Sequence, residues 1–291
     1  MTLSRARALA LLSSTVVLAH CARRSAIAVG SKNFTESIVI GEIYAQTLER
    51  AGFSVERRLN LGSTQIALAA MARGDIDLYP EYTGTALIDV LHHAPLGDSR
   101  EIYRIVRDEF SKRYGLDWLD PSPMNDSQGI ATTRAIAVRF GLRTLSDLSR
   151  VSSKLRLATI PEFITRADGL PGLRRRYGGF TFASVRTYDI ALKYQALLTG
   201  SADVATAFTT DGTIATQRLV LLDDNKHLWP PYNVAPLVRH AALAKEPRIA
   251  TVLNAIAPKL NSERVQEMNA AVEDGNREPA DVAADFLKAE T

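Results

Sequence analysis

Ala70-Met71-Ala72-Arg73-Gly74-Asp75-Ile76-Asp77-Leu78 has an echo far along the chain, in Ala196-Leu197-Leu198-Thr199-Gly200-Ser201-Ala202-Asp203-Val204. Each stretch reads as a helix end, a glycine stop, an aspartate and the start of a strand. Each is followed by an aromatic residue and a Thr/Gly turn: Tyr82-Thr83-Gly84 in the first copy, Phe208-Thr209-Thr210-Asp211-Gly212 in the second. Two copies of one helix-to-strand unit predict two similar α/β lobes.

The residues before the first copy set the same rhythm. Residues 26–31 read as a short buried strand ending in a glycine turn. Ile38, Ile40, Ile43, Tyr44 and Leu48 supply the apolar face of a helix that Gly52 stops. Residues 53–61 read as a second strand, 65–73 as a second helix, and 75–79 as a third strand ended by Pro80. This β-α-β-α-β order predicts a parallel sheet with helices on both faces. Further on, 129–138 is apolar and reads as extended, and 249–261, 262–274 and 279–289 read as closing helices. No linker is Gly/Ser-rich, so the lobes are expected to meet through short hinges with a ligand cleft between them.

Composition narrows the function. The chain has 291 residues, 46% hydrophobic and 23% charged, which is ordinary for a globular protein. The formal net charge is +3. Arg5 and Arg7 lie in an N-terminal segment that carries no acidic residue; setting those two aside from 35 leaves 33 basic against 32 acidic residues, a net of +1. No basic surplus supports binding to a nucleic-acid backbone. Arg5 and Arg7 precede an apolar run, Ala8–Ala19, and together they read as an export signal over residues 1–21. The run is too short for a permanent span. The lone cysteine, Cys21, follows Leu18-Ala19-His20, where a lipoprotein signal places its acylated cysteine. His20 departs from the small residue usual there, so a lipid anchor and a plain cleaved signal both stay open. The expected location is the periplasm or the outer face of the cell envelope.

Enzyme signatures are lacking. The histidines (His20, His92, His93, His227, His240) show no metal-ligand spacing. No Gly-x-Ser-x-Gly elbow occurs, and Gly30-Ser31-Lys32 lacks the upstream glycine of a phosphate loop. No catalytic residue, metal or cofactor is therefore expected.

Five motifs in order carry a resemblance. They are Val29-Gly30-Ser31-Lys32-Asn33-Phe34-Thr35-Glu36; Asp77-Leu78-Tyr79-Pro80-Glu81-Tyr82-Thr83-Gly84-Thr85; Pro161-Glu162-Phe163 with Arg166 and Asp168-Gly169-Leu170-Pro171-Gly172-Leu173; Thr210-Asp211-Gly212; and Pro230-Pro231-Tyr232. Over about residues 27–288 the chain resembles the glycine betaine/carnitine/choline-binding proteins of osmoprotectant ABC importers. The resemblance implies a two-lobed type II periplasmic-binding-protein fold whose chain crosses between lobes twice, near 126–129 and near 232–233. Residues 26–127 plus 233–291 would form lobe 1, and 128–232 lobe 2. It also implies a monomer that docks on an ABC permease with its ATPase subunits.

Such proteins hold a trimethylammonium group among aromatic rings. A quaternary ammonium has no N–H to donate, so ring faces, which offer negative quadrupole and apolar contact together, must receive it. The resemblance places Tyr82 and Tyr232 as cage walls. Phe208 falls where relatives often carry tyrosine, and Gln128 where many carry an aromatic ring, so one wall is expected to be changed. Asp126 would add negative potential. Lys32, Thr85 and Arg166 would face the ligand carboxylate, Arg as a bidentate fork, and Gln65 would be a further contact. The alternatives are a site for an amino acid, a polyamine or a histidine-derived betaine, which Gln128 keeps open, and a ligand-sensing regulator, against which the export signal and the lack of a DNA-binding domain argue.

Overall fold

The computed structural model describes residues 26–190 and 192–290. The export segment and Cys21 lie outside the described residues. Ten strands form two five-stranded sheets. The first contains β1 (Ile27–Gly30), β2 (Val55–Arg58), β3 (Leu78–Tyr82), β4 (Leu116–Trp118) and β10 (Val234–Arg239), in the order β2-β1-β3-β10-β4. The second contains β5 (Gln128–Thr132), β6 (Arg156–Thr159), β7 (Ser184–Thr187), β8 (Val204–Phe208) and β9 (Val220–Leu221), in the order β7-β6-β8-β5-β9. The two orders correspond strand for strand. The chain passes between the sheets twice, after β4 and after β9.

Neither sheet is wholly parallel, which corrects the expectation from the β-α-β rhythm. In the first, β1 is parallel to β2 and β3, while β10 is antiparallel to β3 and β4. In the second, β6 is parallel to β7 and β8, while β5 is antiparallel to β8 and β9. The reversed strands β5 and β10 are the ones that enter each sheet directly after a crossing. Strands joined by helices all end at the cleft; a strand arriving from the other sheet begins there and runs away from it. The pairs Gln128↔Phe208 and Val234↔Tyr82 sit at this edge.

The duplicated motif has one structural job in both lobes. Gly74 (φ +77°) and Gly200 (φ +73°) lie in the left-handed region after their helices. Asp77 then donates its backbone N–H to Ala28 O (2.7 Å) and accepts the Ala28 N–H on its carboxylate (3.0 Å). Asp203 does the same with Arg156, at 2.9 Å and 2.8 Å. Each aspartate pins the strand after the helix to the neighbouring parallel strand.

Pro80 does not end β3 but sits within it, opposite Pro236. The Pro236 carbonyl accepts from Leu119 on the far side of β10 (3.0 Å). The two prolines therefore face each other at a non-hydrogen-bonded position, where a missing N–H removes no rung between β3 and β10. The stretch 129–138 also differs from its reading: β5 stops at Thr132, and Thr133 caps a helix over Arg134–Phe140 by accepting from Ile136 N–H (3.3 Å). Apolar runs of this length suit either state, and the hydroxyl cap decides for the helix.

The central strands β1, β3 and β5 are buried along their whole length, while the edge strands β2 and β7 are mostly exposed. Helix α1 (Thr35–Arg50) covers the first sheet and is itself covered by the closing helices Ser262–Glu273 and Pro279–Ala289.

Candidate functional site

A cavity of about 200 Å³ lies between the sheets. Loops after β1, β2, β3, β6 and β7, with the end of β8, frame it, at the carboxyl ends of parallel strands, where open α/β sheets place their ligands. All nine residues singled out from the sequence line it: Lys32, Gln65, Tyr82, Thr85, Asp126, Gln128, Arg166, Phe208 and Tyr232.

The rings come from both sheets. Tyr82 ends β3 and Phe208 ends β8. Between them stands Phe34, which sequence reasoning missed: its ring lies 6.1 Å from Phe208 at 19° and 5.9 Å from Tyr82 at 38°. It could have been found as the only ring in the loop between a buried strand and the next helix, a place that faces a cleft. Tyr232 is buried, donates its hydroxyl to Asp168, and donates its backbone N–H to Asn125 Oδ1 (2.7 Å). Its ring lies against Gly84, where a Cβ would come within 2.6 Å of it. The glycine of Pro-Glu-Tyr-Thr-Gly is thus needed for close approach of a ring.

Lys32 lines the cavity with a carboxylate partner of its own. Its ammonium is bound to Glu81 (2.8 Å) and Thr64 (3.3 Å) and stands 4.4 Å from the Tyr82 ring centre and 5.5 Å from that of Phe34. Glu81 draws it there: this carboxylate is fully buried and also accepts from the Tyr79 hydroxyl and the Tyr82 N–H. The lysine therefore belongs to the ring side of the cavity. Arg166 forks onto the buried Asp168 through Nε (3.0 Å) and Nη2 (2.9 Å), with Asp89 3.7 Å from Nη1. One edge of the guanidinium is thus already taken, leaving N–H groups on Nη1. Gln65, exposed at the rim, holds Asp89 (2.7 Å). Thr85 and Gln128 are buried in the wall, Gln128 opposite Phe208 in the β5–β8 register.

The charge balance is acidic. Both lining cations have carboxylate partners, while Asp126, Glu162 and Asp189 line the cavity without an ion pair among the described residues. Behind the wall, Glu36 is buried and accepts from Tyr82 OH (2.7 Å), Asn269 Nδ2 (3.1 Å) and Thr210 Oγ1 (2.5 Å). Burial lifts Glu36 above the usual carboxylate range. Burial, with the charges of Glu36 and Asp211, lifts Asp126 well above it. Among the described residues no cluster of ligating side chains could hold a metal ion. An apolar, ring-walled and acid-rich cavity receives a compact cation that needs no hydrogen-bond acceptor.

Comparison with known proteins agrees with this chemistry. The family model for the substrate binding domain of the ABC-type glycine betaine transport system matches residues 25–289. A glycine-betaine-binding protein of Pseudomonas aeruginosa is 34% identical, aligning 97% of this chain with 93% of that protein. The glycine betaine-binding protein YehZ of Escherichia coli is 33% identical over 91% of this chain and 90% of its own. A crystal structure of a glycine betaine/carnitine/choline ABC transporter protein matches with a TM-score of 0.73 at 30% identity, covering 90% of this chain and 98% of that one. The two-lobed periplasmic-binding-protein architecture is shared with these relatives. The chain belongs to the family of substrate-binding domains of ABC-type glycine betaine transport systems.

Proposed function

We propose that the chain is the extracytoplasmic solute-binding protein of an ABC importer and takes a quaternary ammonium compound such as glycine betaine, choline or carnitine into the cavity between its lobes. The observation that carries this reading is the set of rings Phe34, Tyr82 and Phe208, drawn from both sheets around a cavity whose groups without an ion-pair partner are carboxyls. The ammonium settles among these rings and Tyr232, and a ligand carboxylate, where present, meets Nη1 of Arg166 and the Thr85 hydroxyl. Gln65, Asp126 and Gln128 complete the wall. Residues 26–127 plus 233–291 act as one lobe and 128–232 as the other. Ligand contacts from both lobes favour the closed form, since only differential contacts shift such an equilibrium. The closed form docks on the permease, and the ATPase subunits drive release. Binding and delivery, not chemistry, is the role. Residues 1–21 serve export, with Cys21 as the candidate lipid attachment point.

Calorimetric titration with glycine betaine, choline and carnitine is the test. Binding at micromolar concentration is expected for at least one; no binding of any up to millimolar concentration overturns the reading. A histidine-derived betaine is the second ligand class to titrate, because Gln128 replaces a ring with an amide that can hydrogen-bond a heterocycle.

A further inference from the structure

Thr210 stands between two buried carboxyl groups. Its hydroxyl oxygen lies 2.5 Å from Glu36 Oε2 and 2.6 Å from Asp126 Oδ1. Both distances are hydrogen bonds, yet a hydroxyl carries one proton. It can donate to one carboxylate only, so the other carboxyl must be protonated and donate to it. The remaining partners say which. Glu36 receives two further donors, from Tyr82 and Asn269, and is suited to hold the charge. Asp126 has Thr210 as its only side-chain hydrogen-bond partner among the described residues. The chain of donors therefore runs from Asp126 O–H to Thr210 O–H to the Glu36 carboxylate.

We propose that Glu36 and Asp126 hold one proton between them through Thr210 at neutral pH, so that Asp126 is a neutral wall of the ligand cavity that turns negative when a quaternary ammonium settles against the rings. The shared proton stands on the geometry alone; its ejection rests on the quaternary-ammonium reading above. Each part of the relay comes from a different region: Glu36 from the first turn of α1, Asp126 from the first crossing, Thr210 from the turn after β8. Other charged and titratable groups converge here. Asp211 acts on both carboxyls and Lys193 offsets Asp126, while Tyr194 lies within the field of Asp126. Tyr82 donates to Glu36 and lies in the field of Asp126 and Glu81. Lys193 is committed to Asp211 (2.9 Å), which leaves the Glu36–Asp126 pair without a cation of its own.

The relay also provides an exit. Asp126 lines the ligand cavity, and Glu36 lines a second cavity of about 610 Å³ on the other side of Phe34. When the cation arrives, the Asp126 O–H bond breaks and its proton passes to Thr210 Oγ1. The Thr210 proton passes to Glu36, which releases it through the second cavity to solvent. No electrons are exchanged, and the site gains one negative charge as the ligand brings one positive charge.

Infrared difference spectroscopy on the unliganded full chain tests the shared proton. In a Glu273→Gln background, which removes the other carboxyl lifted to about 7, the spectrum at neutral pH should contain a protonated-carboxyl carbonyl band that disappears when either Asp126→Asn or Glu36→Gln is added. It should move in Thr210→Val, which breaks the relay without removing a carboxyl. A band that is absent, or that survives both amide variants, overturns the proposal. Choline titrations in buffers of low and high ionisation heat then test ejection. Release of close to one proton per choline is expected, with affinity rising about tenfold per pH unit while the pair is singly protonated. Binding without proton release overturns ejection and leaves the quaternary-ammonium reading intact. Failure of every quaternary ammonium to bind overturns that reading and ejection with it, while the infrared band still decides the shared proton.

Discussion

Each lobe presents an aromatic ring with a lysine of the protein over it, and the two lobes do this differently. In the first, Lys32 stands 4.4 Å from the Tyr82 ring centre and is paired with Glu81, which is fully buried. In the second, Lys193 stands 4.4 Å from the Phe208 ring centre and is paired with Asp211, whose side chain keeps 15% of its exposure. The geometry is alike, but Lys32 lines the ligand cavity, whereas Lys193 lines the second cavity. Lobe 1 therefore offers the ligand a ring whose quadrupole is already partly engaged, and lobe 2 a ring whose cavity side no lysine covers.

The largest effect should come from breaking the ion pairs. Glu81→Gln leaves a buried ammonium unpaired and is expected to destabilise by about 3–5 kcal/mol. Asp211→Asn should cost less, because water reaches its carboxylate. Denaturant midpoints of the two variants would measure the difference, and equal losses would show that the two pairs are equivalent.

Ring removal sharpens the comparison next. Leucine keeps apolar volume but has no ring face. Phe208→Leu should weaken binding of a quaternary ammonium by roughly 30-fold, the worth of a desolvated cation–π contact of about 2 kcal/mol. Tyr82→Leu should weaken it only about threefold, because Lys32 competes for that ring. Calorimetry reads both. The reverse order would mean that Lys32 leaves Tyr82 when the ligand binds.

The smallest effect concerns pH. Glu273 lies beside the Lys193–Asp211 pair; burial first, then the charge of Asp211, pushes its carboxyl up to about 7, although Thr213 donates to it (3.1 Å). A raised folded-state value means that the native state holds this proton more tightly than the unfolded chain. The stabilisation is complete below the unfolded value near 4.5 and is lost as pH rises through about 7. Between pH 5 and 8 the Tm contribution of this group should fall by roughly 2–5 °C. Glu273→Gln should abolish that part of the slope, and scanning calorimetry of both proteins would show it. An unchanged slope would show that Glu273 does not set this pH dependence.

Much of this was legible in the chain. The echo around Asp77 and Asp203 announced two related lobes, because glycine stops and strand-pinning aspartates are local requirements that recur wherever the unit recurs. The cavity lining was legible through the motifs around Tyr82, Arg166 and Tyr232. Phe34 lies within the first motif, but a single aromatic in a loop carries no periodic signal. The reversed strands β5 and β10 were missed because strand direction depends on which sheet the chain has just left, and no local pattern records that.

The sequence by itself determined the order of elements, the helix stops, the aromatic and basic residues available to the site and the family resemblance. All of these depend on local backbone preference, hydrophobic periodicity or contiguous motifs. Only the tertiary structure decided how the charges combine: Lys32 with Glu81, Arg166 with Asp168, and Thr210 between Glu36 and Asp126. The members of these groups are mostly far apart in the chain and meet at strand ends and crossings. Their pairing depends on distances and burial, which determine electrostatic strength and which a linear pattern does not contain.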